Sequence, residues 1–367
     1  MHKKFAEKKG MCILRETKPK YQEVFFTEVK MKKLGFLIAG VSLLMSGALT
    51  ASIRPCPGQF SFTVEWTYLE PIVDNPYYVI KDQDFDDVDE FLGQRIANDM
   101  NYDSGFRIEA LYAFCNCACP TDLRLAWTHL DADHSVRKRT RDDDLFPTRG
   151  HPDCLEDDLD FASSSICFDF DRVEGVFGLH VLDCGCLNLV LEVGLQYANF
   201  EYDTKIRYSD FAYDDFYRVV QDSSYWGIGP QFGFDFNYYI CGNLSLNATV
   251  NWALLVGEND TKFIHFKSGE EQITIRDICV AAKNDSIWRI VPATHMRTGL
   301  NYGFGCGCWD ANIEVGYQFY SYVRALDHIE FVESEKTKDA PGQVGRSLDI
   351  YSNADMHGPY LAFTFNF

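Results

Sequence analysis

The sequence predicts an all-β protein, a closed antiparallel transmembrane β-barrel of about ten strands with short periplasmic turns and long extracellular loops. Three observations support this. An alternating apolar run, a tight cysteine-containing turn and a second alternating run recur four times in the 367 residues. The connections between these pairs are long and polar. The final alternating run ends on an aromatic residue, Phe367. Short turns at one end and long loops at the other are typical of an outer-membrane barrel.

The first 51 residues contain an export signal. Residues 31–51 have a basic start, a short apolar middle and small residues at their end, which is the pattern of a secretory signal peptide. Residues 1–30 are interpreted as an upstream extension, with translation starting at Met31. An unusually long basic region before the signal is the alternative. The outer-membrane barrel domain is therefore expected to span residues 52–367.

The alternating runs predict ten strands, each long enough for the 9–11 tilted residues that cross a bilayer. In chain order they cover residues 59–70, 104–114, 121–130, 172–183, 187–202, 225–240, 243–257, 294–305, 310–323 and 356–367. Residues 263–278 are interpreted either as a loop hairpin or as an extra strand pair. An extra pair would raise the count to twelve.

Side-chain parity supports closure in a membrane, because lipid-facing and lumen-facing residues must alternate along each strand. In the first strand the apolar face consists of Phe60, Phe62, Val64, Trp66 and Tyr68. Polar residues occupy the positions between them. Residues 187–197, 231–238 and 361–367 alternate in the same way.

A soluble β-sandwich would also alternate, but two features favour the membrane. Aromatic residues such as Trp66, Trp127 and Trp252 stand near strand ends on the apolar face, as interfacial girdles do. The opposite face contains charges that a sandwich core would bury at high cost. These predicted lumen-lining residues are Glu65, Arg107, Glu109, Arg124, Glu192, Asp235, Arg297 and Glu314. They would line an aqueous passage or pair across a plugged interior.

Cysteines cluster at the predicted periplasmic turns, and export permits disulfide bonds. The disulfide candidates are Cys115, Cys117, Cys119, Cys184, Cys186, Cys241, Cys306 and Cys308. Two cysteines separated by one residue point apart and do not bond easily to each other. Bridges between neighbouring turns or between molecules are therefore expected. Zinc is disfavoured because the usual CxxC spacing is missing.

Charge and motifs exclude several function classes. The formal net charge of −20 argues against a nucleic-acid partner. The chain has no Gly-x-Ser-x-Gly nucleophile elbow and no phosphate-binding glycine loop, so no enzymatic activity, catalytic residue or cofactor is predicted. A cluster of His129, Asp131, Asp133 and His134 could bind a metal, but an acid-rich loop entrance produces such clusters by chance. No metal site is predicted.

The sequence resembles the Legionella-type pore-forming major outer-membrane proteins, and more loosely the cysteine-rich major outer-membrane porins of chlamydiae. The resemblance spans roughly residues 59–367 and rests on the order of several short motifs. They are FTVEWTYLEP at 62–71, YDSGFR at 102–107, DLRLAWTHL at 122–130, YWGIGP at 225–230 and HGPYL at 357–361. The resemblance implies a barrel with diffusion-pore activity. The looser resemblance to the chlamydial porins implies disulfide cross-linking that stiffens the envelope.

The expected function is passive diffusion of small solutes or ions through a charged lumen in the bacterial outer membrane. The alternative is a non-conducting structural or adhesive surface barrel, disulfide-linked in the envelope and acting through its acidic loops. The expected partners are outer-membrane lipid and the barrel assembly machinery, for which Phe367 is the predicted signal. Further expected partners are other copies of this chain in a homo-oligomer, or envelope proteins linked to it by disulfides.

Overall fold

The computed structural model describes residues 57–82, 93–114, 120–140, 145–155, 159–210, 215–269, 274, 277–305, 310–332 and 346–367. All of them belong to one compact unit, Thr50–Phe367. The predicted upstream extension and signal peptide lie outside the described residues. Across the described ranges, no helix is both long enough and apolar enough to span a membrane.

The described residues form strands and one short 3-10 helix. The strands are β1 (Phe60–Val73), β2 (Tyr77–Asp82), β3 (Gly93–Ala97), β4 (Asp103–Phe114), β5 (Thr121–Arg139), β6 (Leu145–Pro147), β7 (Phe161–Asp183), β8 (Leu187–Asp210), β9 (Asp215–Cys241), β10 (Leu244–Ser268), β11 (Ile278–Gly305), β12 (Asp310–Val332) and β13 (Arg346–Asn366). The 3-10 helix covers Pro152–Cys154.

Ten of these strands form an antiparallel sheet that closes on itself in the order β1-β13-β12-β11-β10-β9-β8-β7-β5-β4. Closure depends on β1, which pairs with β13 on one side and with β4 on the other. The predicted ten-strand barrel is confirmed. Residues 263–278 add no strand pair, because their described part continues β10 to Ser268 and begins β11 at Ile278.

Several strands are longer than the sequence predicts, and β11 reaches 28 residues. About ten tilted residues cross a bilayer, so these strands continue well beyond the membrane. Outside the lipid the outward face is wet and need not be apolar. The alternating pattern therefore fades in the sequence although the strand continues.

Outward-facing side chains form an apolar belt with aromatic residues at both rims. Leu125, Val193 and Leu195 are each 58 % exposed. At the outer rim the ring centroids of Trp226 and Trp288 lie 6.4 Å apart. This belt matches the lipid-facing surface of an outer-membrane barrel, with aromatic residues at the interfaces.

A small sheet caps the outer part of the barrel. It has the strand order β3-β2-β6 and packs Tyr78 and Val79 against inward side chains of the wall, including Ile206 and Phe263. A disulfide between Cys154 and Cys279 joins the 3-10 helix beside this cap to the outer end of β11, with a Cα–Cα distance of 6.3 Å.

Of the eight cysteines predicted to form bridges, three lie within the described residues. Cys115, Cys117, Cys119, Cys306 and Cys308 lie outside the described residues. Cys184, Cys186 and Cys241 are exposed free thiols at the turns of two hairpins. Intermolecular bridging through these turns stays a prediction.

Replacing both Cys154 and Cys279 by serine should lower the free energy of unfolding. The bridge spans 125 residues, and loop-closure entropy for such a span gives an upper limit of about 5 kcal/mol. Urea titration in lipid vesicles measures the change. A Cys184→Ser variant is the control and should unfold like the wild type. Equal stability of the double variant and the wild type would contradict this expectation.

Candidate functional site: the bore of the barrel

The eight predicted lumen-lining residues all face the interior of the barrel. Glu65 is fully buried, and Arg107 and Glu192 are 3 % exposed. The side chains of Glu109 and Arg297 are 16 % and 11 % exposed to solvent. The outward positions between them are occupied by lipid-facing side chains such as Trp66 and Val193. Strand alternation alone therefore brings these charges into the bore.

Glu174 is the centre of the first part of this charged network. Its Oε1 atom accepts a hydrogen bond from Arg107 Nη2 at 2.8 Å. Its Oε2 atom accepts from Gln231 Nε2 at 3.0 Å and forms an ion pair with Arg172. Arg107 also donates to Glu109 Oε2 at 2.6 Å. Two buried arginines thus share one buried carboxylate.

Sequence reasoning missed Arg172, Glu174 and His295. The signal was present for the first two, because Val173 and Phe177 are apolar and outward-facing, which assigns the even-numbered positions of β7 to the interior. His295 lies on β11, and its Nδ1 atom is 3.1 Å from Arg172 Nη1. A single polar residue in a strand gives little indication of its partners.

Two more arginines complete the network. Arg124 donates to Glu192 Oε2 at 2.6 Å, and its Nη1 atom is 4.0 Å from Asp235 Oδ2. Arg297 donates to Glu65 Oε2 at 2.9 Å and to Glu314 Oε1 at 2.8 Å. Apart from Arg297–Glu314, these contacts join strands that are not neighbours in the sheet, such as β11 and β1. The network therefore spans the interior.

A polar cavity of about 90 Å³ lies within this network. Its lining residues come from most of the barrel wall and are largely charged, amide or hydroxyl side chains. They include Arg107, Glu109, Arg124, Asp235, Asn251, Arg297, Asn301 and Glu314. The cavity has room for a few water molecules or a small ion.

On the outer side of Arg172, the side chains that fill the interior are apolar and aromatic. The Phe170 ring on β7 lies 5.8 Å from the rings of both Tyr320 and Tyr322 on β12. Phe200 lies 4.5 Å from Tyr322. We call Phe170, Phe200, Tyr320 and Tyr322 the aromatic bridge. β7 and β12 are five strands apart in either direction around the ring, so these contacts cross the full width of the bore.

The bore is therefore filled at the aromatic bridge in this conformation. Phe170, Phe200, Tyr320 and Tyr322 belong to one buried cluster with Leu69, Leu130, Leu255, Val291 and Leu326. The inward charges are paired with one another, and the aromatic bridge fills the bore beside them. The structure therefore agrees with the second interpretation of the inward charges, a plugged interior. A ten-stranded barrel is narrow enough for large side chains from opposite walls to meet.

The histidines and aspartates considered as a metal cluster do not converge. His129 Nδ1 is 3.0 Å from Asp171 Oδ1, and His134 Nδ1 is 3.0 Å from Asn101 Nδ2. Odd and even positions of β5 point to opposite faces. Within the described ranges, no group of three or more His, Cys, Asp or Glu residues is placed to hold a metal ion.

Two buried histidines lie in the outer part of the barrel. Burial, together with the nearby Arg149 guanidinium, lowers the pKa of His328 to about 3. Burial lowers the pKa of His265 to about 4, with contributions from His151 and Lys267. Both imidazoles are neutral near pH 7, because burial disfavours the charged form.

Comparison with protein families gives one match. The profile described as Legionella pneumophila major outer membrane protein precursor matches residues 54–367, which include every described strand. The comparison with curated proteins found no match.

Solved structures give distant similarities. The outer membrane protease OmpT of Escherichia coli is 8 % identical, with 87 % of this chain and 99 % of that chain covered and a TM-score of 0.44. The monoaromatic hydrocarbon channel CymD is 9 % identical, with 89 % and 97 % covered and a TM-score of 0.35. A Pseudomonas aeruginosa FadL homologue is 8 % identical, with 84 % and 90 % covered and a TM-score of 0.25.

Replacing Glu174 by glutamine should destabilise the barrel by about 3–5 kcal/mol, because buried arginine charge then loses its partner. Urea unfolding in lipid vesicles measures this. Glu201→Gln is the matched control on the exposed outer surface, with an expected change within about 0.5 kcal/mol. A similar small effect for both variants would show that the charged network contributes little to the free energy of unfolding.

Acid should weaken the outer part of the barrel. His265 and His328 bind protons with a pKa of 6.5 when exposed and of about 4 and 3 when folded. Between pH 6.5 and pH 4 the unfolded form therefore binds more protons, and stability falls as pH falls. Amide exchange at pH 7 and pH 4.5, corrected for intrinsic rates, measures this. The His265→Gln/His328→Gln variant should lose the part of the pH dependence that these two imidazoles cause, and an unchanged dependence would refute the assignment.

Proposed function

Because the chain belongs to the Legionella pneumophila major outer membrane protein family, we propose that this outer-membrane β-barrel is a narrow porin. It passes small solutes or ions by passive diffusion through its charged bore. The aromatic bridge closes that bore in the conformation described above. Opening requires movement of the bridge, so the pore spends much of its time closed.

The charged network around Glu174 carries this proposal. Burying ion pairs is a poor way to stabilise a barrel, since well-packed apolar side chains of similar volume are often as good or better. Ionisable residues at membrane depth generally mark ion or substrate pathways. The network surrounds a polar cavity rather than a solid core. An ion pathway accounts for both features.

The balance of charge supports a preference for cations. The paired carboxylates Glu65, Glu109, Glu174, Glu192, Asp235 and Glu314 outnumber the arginines 107, 124, 172 and 297. A ring of charged side chains in a narrow pore favours ions of the opposite sign. We propose no enzymatic activity, because these carboxylates are engaged by arginines and serve to shape the pathway.

A structural surface barrel is the second candidate, and the aromatic bridge is the observation that favours it. Direct contacts between opposite walls, such as Phe170 with Tyr322, fill the interior as in a barrel that only anchors its loops. In that case the acidic loops carry the function and the bore conducts nothing.

Single-channel recording in planar bilayers tests the proposal. The wild-type barrel should show small, infrequent and cation-selective openings. The Phe170→Ala/Tyr322→Ala variant should open more often and conduct more, because both sides of the aromatic bridge are shortened. Phe232→Ala is the control, since Phe232 is 53 % exposed on the lipid face, and it should behave like the wild type. If both bridge variant and wild type are folded but silent, the porin proposal fails and the structural barrel is favoured.

A further inference from the structure

The outer ends of β12 and β13 separate from the barrel wall. The ladder between β11 and β12 ends at the pair Ala293 and Tyr322, although both strands continue outward. The ladder between β1 and β13 ends at Val73 and Ala354. Tyr322 and Ala354 are partners of each other. Both strands of this hairpin therefore leave their wall neighbours at the same level.

The β12 arm of the separated hairpin enters the bore. Residues 325–329 are all buried, whereas a wall strand buries only alternate residues. Asn259 Nδ2 on β10 donates to the Ala325 carbonyl oxygen at 3.1 Å. The Asp327 amide donates to Ser223 Oγ on β9 at 3.0 Å. Neither β9 nor β10 is a neighbour of β12 in the barrel, so this arm reaches across the interior.

We propose that this hairpin, residues 325–332 and 346–353, is a hinged flap that closes the outer mouth of the bore. We call it the flap. Its inner strand packs Ala325 and Leu326 into the same cluster as Tyr322. The proposal rests on the proposed pore function for its physiological meaning, because the flap regulates access to the same pathway.

The hinge is visible in the backbone. Arg324 has a φ of 58°, a left-handed conformation that is uncommon for a non-glycine residue and concentrates at functional and switching segments. The ladder between β12 and β13 also shifts register between Tyr322 and Leu326. These two features redirect β12 from the wall into the bore.

Side chains replace the ladder bonds at the hinge. The Arg324 amide donates to Asn353 Oδ1 at 3.0 Å, and the Arg324 carbonyl oxygen accepts from Arg289 Nη1 at 3.0 Å. The Asn353 amide donates to Asp74 Oδ2 at 3.1 Å. Each of these three backbone groups is satisfied by a side chain instead of a backbone partner on an adjacent strand. These bonds can break singly, whereas ladder bonds break as a set.

Arg289 on β11 is the latch between wall and flap. Its Nη2 atom donates to Asp327 Oδ2 at 2.8 Å, and its Nη1 atom contacts Asp327 Oδ1. Its guanidinium also lies 4.6 Å from the centre of the Tyr351 ring. One wall residue thus holds both strands of the flap. A bidentate arginine–carboxylate pair is strong and geometrically specific.

The latch variant Arg289→Gln should increase flap opening. Hydrogen–deuterium exchange of residues 325–332, measured by mass spectrometry in detergent or nanodiscs, should become about tenfold faster. Exchange in the membrane-level part of β10 should not change. Lys283→Gln is the matched control, because Lys283 lies on the same strand and its ammonium group pairs with Asp285 of that strand. It should exchange like the wild type.

A locked variant tests the same hinge from the opposite direction. Asn284 Nδ2 on β11 donates to Asp349 Oδ1 on the flap at 3.0 Å, so cysteines at both positions can be joined by a short thiol cross-linker. Cross-linking should slow exchange of the flap and reduce conductance. Equal exchange in the wild type, Arg289→Gln and the cross-linked form would overturn the flap proposal.

The exchange and conductance readouts separate the two proposals. Faster exchange in Arg289→Gln without any conductance would support the flap and refute the pore. Unchanged exchange together with conductance in the aromatic-bridge variant would support the pore and refute the flap.

Discussion

The whole structure depends on the pairing of β1 with both β4 and β13, because a sheet in lipid cannot leave backbone groups at a free edge. Closure with ten strands sets the width of the interior. Alternation then sends one set of side chains to lipid and the other into a bore so narrow that opposite walls touch. The charge network and the aromatic bridge are both consequences of this width. A wider barrel would leave Phe170 and Tyr322 apart.

The side chains that line the bore change along its length from charged to aromatic, and a different interaction stabilises each part. In the charged part, arginines and carboxylates from different strands neutralise one another, since an unpaired buried charge would be costly. In the aromatic part, Phe170, Phe200 and Tyr322 gain contact area without any polar group that needs a partner other than the tyrosine hydroxyls. The two parts meet at Arg172, whose guanidinium carbon is 5.6 Å from the centre of the Tyr320 ring. This cation–π contact joins them.

The sequence was sufficient for the membrane part of the fold and for half of the site. Strict alternation from Phe60 to Tyr68 and from Leu187 to Tyr197 predicts strands, their facing and the inward position of Glu65 and Glu192. It could not predict which charges pair, because Arg297 and Glu65 are 232 residues apart and meet only after closure. It also could not predict the flap. Residues 325–329 are buried on both faces, and nothing in a strand of mixed polarity distinguishes a wall segment from one that crosses the interior.

The double role of β13 links the making of the barrel to the sealing of its mouth. Below Ala354 this strand is the last piece of wall, bonded to β1. Above it, the same strand pairs with the outer part of β12 in the flap. An assembly intermediate that lacks β13 therefore has neither a complete wall nor a covered entrance. Docking of this single strand therefore completes the ring of the wall and the flap hairpin at the same time.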